Sequence, residues 1–98
     1  MSYPIDFRPE AESDLRDARD WYDSRLPGLG REFLDRVDDA VERMSQFPES
    51  APVVHEDIRS LLLERFPHAI FYVIESDRIV VLAVFHPRRD PDTWKDRR

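Results

Sequence analysis

Two apolar runs near the C-terminus, Ala69 to Glu75 and Arg78 to Phe85, restrict the fold of this 98-residue chain more than any other feature. Ile70, Tyr72 and Ile74 alternate with Ala69, Phe71 and Val73 in the first run. Ile79, Val81, Ala83 and Phe85 alternate with Val80, Leu82 and Val84 in the second, so both faces of both runs are apolar. Val, Ile, Phe and Tyr at this density favour strands, and Ser76-Asp77 between the runs suits a tight turn, which predicts an antiparallel pair. A sheet that is apolar on both faces needs two covers, and the rest of the chain has to supply at least one.

The first 47 residues supply a helical hairpin. Tyr3, Ile5 and Phe7 alternate as an opening strand, and Pro9 then suits a first helical position, where its missing N–H is no loss. Ala11, Leu15, Ala18 and Tyr22 recur at spacings of four, three and four, which stacks them on one face of a helix ending near Arg25. Leu26-Pro27-Gly28 breaks the pattern. A second helix from about Leu29 to Phe47 places Leu29, Phe33, Val37, Ala40, Met44 and Phe47 inward. Outside, Glu12, Arg16 and Asp20 in the first helix, and Glu32–Arg36 and Asp39–Arg43 in the second, are spaced for i,i+4 pairs. The short connection makes the helices antiparallel neighbours. Pro48 to Asp57 reads as a polar link, Ile58 to Glu64 as a third strand, and Thr93 to Arg98 as one helical turn or a frayed end. The expected fold is a single α+β domain over residues 1–98: an N-terminal strand, then an antiparallel helical hairpin packed on a mainly antiparallel sheet completed by a three-stranded C-terminal meander. One hairpin covers one face. The other is left to the chain's own ends, a second copy or a different protein.

Charge narrows the function. The net charge of -6 disfavours a chain that works by gripping phosphates, and no direct sequence-specific DNA binding is expected. Residues 1–57 carry 7 basic and 15 acidic side chains, and residues 58–98 carry 8 and 6, so an acidic helical half adjoins a mildly basic sheet half. No apolar run approaches the ~18 residues of a membrane span, and Met1 to Glu10 lacks a signal-peptide pattern, so a cytoplasmic protein without membrane contact is expected. The absence of cysteine removes disulfides and thiolate metal sites. His55-Glu56-Asp57 lies on a link with no second ligand cluster, and Gly28 and Gly30 are the only glycines, so no metal, nucleotide loop or other cofactor is expected. The helix carboxylates, Asp14, Asp17 and Glu42 among them, read as exposed positions with arginine partners.

What remains is the chain end, where the last strand runs into His86-Pro87-Arg88-Arg89-Asp90-Pro91 and then Trp94. Strands hold side chains more firmly than loops do, so paired arginines and an aromatic at a strand end read as a carried site. His86 is the one side chain nearby of a type that titrates near neutral pH, though a lone histidine at a strand end is more often structural.

The order strand, helical hairpin, three-stranded meander resembles the RelE/ParE superfamily of type II toxin–antitoxin toxins. The residues that carry the resemblance are Ala11, Asp14, Leu15, Ala18, Trp21 and Tyr22 in the first helix, Leu29-Gly30 and Phe33 in the second, Arg65-Phe66-Pro67 before the next strand, and the ending from His86 to Trp94. The Trp-Tyr helix end, the Arg-Phe-Pro step and the His-x-Arg-Arg-Asp-Pro close are closest to the ParE-like branch. The resemblance implies a toxin neutralised by a cognate antitoxin, with DNA gyrase as its target. Arg88, Arg89 and Trp94 are the residue types that dominate protein–protein contacts, which makes them the expected target-binding residues. Which residues meet the antitoxin is not implied. The RelE-like branch instead cleaves messenger RNA on the ribosome, which would give catalytic roles to His86, Arg88 and Arg65. Against that branch, a cation usual in its third strand falls on Ala69 and its C-terminal aromatic hydroxyl falls on Trp94. A non-toxic module that binds an antitoxin is the third reading the sequence leaves open.

Overall fold

The computed structural model describes residues 2–88 and 92–97. Strand β1 (Ile5–Phe7) leads into helix α1 (Pro9–Arg25), helix α2 (Leu29–Gln46), strands β2 (Val53–His55), β3 (Ile58–Leu62), β4 (Ala69–Ile74) and β5 (Ile79–Phe85), and a 3-10 turn at Thr93–Asp96. The five strands form one sheet in the order β1-β5-β4-β3-β2. β1 lies parallel to β5, and every other pairing is antiparallel.

The helical hairpin forms as the periodicity dictates, except that α2 ends at Gln46 and Phe47, expected inward, is 61% exposed. Gly28 takes a left-handed φ of 92°, which glycine adopts without steric cost. Gly30 then lets α2 cross close to α1: a Cβ there would lie 2.6 Å from the Arg19 carbonyl oxygen. Its N–H donates at 2.7 Å to the Asp23 carboxylate, so α1 supplies the cap that the start of α2 lacks. The exposed ion pairs differ from the expected ladder. Arg31–Asp35 and Arg36–Asp39 form at 3.3 and 3.2 Å, while Arg43 reaches Glu64 at 3.5 Å and Arg19 its neighbour Asp20 at 3.0 Å. Solvated pairs of this kind exchange partners at little energetic cost, so sequence spacing does not decide between them.

The link between α2 and β3 is not wholly irregular. Val53–His55 adds a short edge strand, with a register shift between Val53 and His55. Three residues with no alternation give no periodic signal. A second irregularity lies in the central pair, where Phe71 pairs with Ala83 but Tyr72 pairs with Val81, leaving Leu82 as an extra residue. The expected alternation of β5 is therefore broken. Ile79, Val81 and Val84 join the core under the helices, with Phe33, Val37, Met44, Ile70 and Tyr72, whereas Val80, Leu82, Ala83 and Phe85 join Phe71 and Val73 on the opposite face.

That opposite face is not left open. Trp94 is 5% exposed and stacks on Phe71 with ring centroids 4.5 Å apart and planes 11° apart. The Arg97 guanidinium lies 4.5 Å from the centre of the Phe85 ring. Of the three covers the sequence left open, the chain's own C-terminal turn is the one found, and no second copy is needed to bury Phe71, Val73 or Leu82.

Candidate functional site

β1 pairs with β5 only as far as Val81, and Arg8, just past β1, donates its N–H to the Val81 carbonyl at 3.0 Å. Beyond that point the β5 edge would be unpaired, and two side chains close it. The Val84 N–H donates to Asp14 Oδ2 at 3.0 Å, and an Arg97 guanidinium nitrogen donates to the Leu82 carbonyl at 3.3 Å. The same guanidinium holds both Asp14 oxygens, at 2.6 and 3.4 Å. Asp14 thus lies on the inner phase of α1, three residues after Ala11 and four before Ala18. Its side chain is 9% exposed, which corrects the reading of Asp14 as a solvated helix carboxylate. The signal was present in that spacing; the partner, 83 residues away, was not legible.

Burial pushes the Asp14 carboxyl above its ordinary value, against the bonds from Arg97 and Val84 that favour the charge; Asp17 adds a smaller push in the same upward direction. A raised value means the folded chain binds this proton more tightly than the unfolded one. The associated stability is full below the unfolded pKa and is lost as pH rises through the folded one. At neutral pH the buried carboxylate depends on Arg97. Replacing Arg97 with Met is therefore expected to cost about 2–3 kcal/mol near pH 7, and distinctly less at acid pH, once Asp14 takes up a proton. Urea unfolding under the two conditions measures the difference.

The same face of α1 forms one wall of a groove of about 460 Å³ lined by Asp14, Asp17, Trp21, Tyr22, His68 and His86. The aromatic wall is continuous with the core. Tyr22 packs on Phe33 and Phe66, with centroids 5.4 and 4.9 Å apart, and its hydroxyl lies 3.4 Å from His68 Nδ1. His68 in turn faces the His86 ring at 6.2 Å.

At His86 the chain leaves the sheet and turns through Pro87 and Arg88. The Arg88 N–H donates to His86 Nδ1 at 3.2 Å, a side chain to backbone bond across two residues in the manner of an Asx turn. With Nδ1 accepting, the proton of the neutral ring sits on Nε2. Arg88 itself is exposed.

The expected site residues do not converge on one place. His86 and Arg88 are neighbours joined by a hydrogen bond. Arg65, in the left-handed region at φ 71°, lines a second groove with Glu32, Asp35 and Arg36, which meets the first at Tyr22 and Pro67. Trp94, expected at a target-facing surface, is buried on the far face of the sheet. Arg89 lies outside the described residues. Ala69 is fully buried. His55 contacts Glu56 at 3.5 Å and the Trp94 ring at 5.9 Å, and no three His, Asp or Glu side chains among the described residues are grouped to hold a metal ion. No helix among the described residues is long and apolar enough to cross a membrane.

Comparison with known proteins agrees with this fold. Residues 5–91 match the family described as ParE toxin of type II toxin-antitoxin system, parDE. Among solved structures, the chromosomal ParDE toxin–antitoxin system from P. aeruginosa aligns with a TM-score of 0.75 at 18% identity, covering 85% of this chain and 94% of that one. The toxin–antitoxin complex RelBE2 from Mycobacterium tuberculosis aligns with a TM-score of 0.61 at 22% identity, covering 88% and 99%. At these identities the likeness is one of fold. No curated protein matches the chain.

Proposed function

We propose that this chain, which belongs to the ParE toxin family of type II toxin–antitoxin systems, acts by binding a protein target, DNA gyrase, and is neutralised by a cognate antitoxin. The observation that carries the choice of target is the lining of the groove beside Arg88. It presents the Asp17 carboxylate and an Asp14 carboxylate already paired with Arg97, and among the described residues its lining includes no lysine or arginine. Cleaving RNA needs cations grouped around the scissile phosphate, and a groove with this lining supplies none. An exposed arginine next to an aromatic, acidic groove suits a protein surface better, since arginine and aromatic side chains dominate such contacts. Arg88 and Arg89 are the proposed target contacts, with Trp94 supporting them from the core.

The antitoxin, partly helical and ordering on contact, has apolar side chains to cover on the helix ends and the sheet edge. Trp21 and Leu26 at the end of α1 are 46% and 57% exposed, and Phe47, Val53, Val54 and Leu62 are between 48% and 62% exposed.

Induced expression, with and without the reading frame encoded beside this one, tests the reading through pulse-labelling of DNA, RNA and protein synthesis. DNA synthesis and supercoiling are expected to fall first, and the neighbouring product to restore both. An early, selective stop in translation with cut messenger RNA would replace this reading with the ribosome-dependent nuclease. Normal labelling alongside a stable complex with the neighbouring product would leave only the antitoxin-binding module.

A further inference from the structure

We infer that His86 is a positioning residue that aims Arg88 by accepting the hydrogen bond of its backbone N–H; the functional side of this rests on the reading of Arg88 as a target contact. Three features lead to it. Pro87 holds φ near the value a turn needs at that position, which restricts the path from β5 to Arg88. The Arg88 N–H then finds an acceptor in His86 Nδ1 at 3.2 Å, so the backbone that carries the arginine is tied to the ring two residues earlier. The ring, finally, has a neighbour of its own. His68 lies 6.2 Å away and is packed at 5.1 Å against Phe33, a fully buried residue, with the Tyr22 hydroxyl 3.4 Å from its Nδ1. A continuous row of rings therefore runs from the core to the base of the turn. The same bond gives a histidine at this strand end a structural use: its acceptor nitrogen holds the Arg88 amide.

This role depends on an acceptor two atoms beyond Cβ and not on an imidazole. Asparagine can make the same bond with its side-chain oxygen, whereas leucine fills similar space and accepts nothing. Hydrogen exchange of the Arg88 amide in the full purified chain reads the turn directly. His86→Leu is expected to speed exchange about fivefold, equivalent to about 1 kcal/mol for one lost hydrogen bond, while His86→Asn stays within about twofold of the parent. Growth arrest on induction should follow the same order, weakened in His86→Leu and retained in His86→Asn, with equal thermal melts. Unchanged exchange in His86→Leu, or a His86→Asn chain as impaired as the leucine variant, would overturn the inference. Arg88→Ala measured alongside separates the two layers. If it arrests growth as the parent does, the reading of Arg88 as a target contact falls. If it is inactive while His86→Leu is fully active, only the positioning role falls.

Discussion

Phe33→Ala is expected to cost about 3–5 kcal/mol, a large share of what holds a domain of this size together. Phe33 is fully buried, and it stands where the hairpin meets the groove. Its ring is 5.4 Å from Tyr22, 5.4 Å from Phe66 and 5.1 Å from His68, the last two in edge-on geometry. Truncation removes one side of all three contacts and leaves a cavity that helices and sheet cannot both close. Arg16→Ala supplies the contrast, since Arg16 is exposed and such positions rarely exceed ~0.5 kcal/mol. Thermal melts should therefore separate the two variants by about 10 °C or more, at about 4–8 °C for each kcal/mol in a domain of this length. Equal melting temperatures would mean that α2 packs with another face. Because His68 leans on Phe33, the variant should also loosen the groove wall beside His86, visible as faster amide exchange at His68.

Elements with a strong period were legible in the sequence, and those that depend on distant partners were not. Both helices, the turn at Gly28 and the pairing of β4 with β5 follow from local spacing and local chemistry. The parallel placement of β1 against β5 joins residues some 74 positions apart, as in the pairing of Ile5 with Ile79, and no local pattern encodes it. The bulge at Leu82 is invisible for another reason. When both faces of a strand are apolar, a one-residue change of register exchanges one apolar side chain for another and leaves no mark on the pattern. The site was legible in the same measure. His86 and Arg88 are adjacent in sequence and in space, but Asp14 and Arg97 form a pair only because the C-terminal turn comes back across the sheet to α1. Trp94 shows the converse. Its residue type suits an interface and a core equally well, and only the stacking on Phe71 decides between them.

That stacking makes Trp94→Ala the second large effect, a loss of about 3–5 kcal/mol that arises in the core and not at a target surface. Were Trp94 a contact residue held in solvent, truncation would leave the melting temperature almost unchanged and remove only binding. At 5% exposure, with its ring nearly parallel to that of Phe71, it instead closes the face that carries Phe71, Leu82 and Phe85. Removing it uncovers a contiguous apolar surface, so lowered stability should be accompanied by self-association on size exclusion. Trp94→Phe keeps an aromatic plane over Phe71 and should recover most of the loss. A double-mutant cycle with Phe71→Leu measures the contact itself, for which a coupling of about 0.5–1.5 kcal/mol beyond the area buried is expected. Activity then divides the two roles: at a temperature where Trp94→Phe is fully folded, it should act on the target as the parent does, while Arg88→Ala, equally folded, should not. A Trp94→Phe chain that is folded but inert would return the indole to the target surface, whatever its burial in the isolated chain.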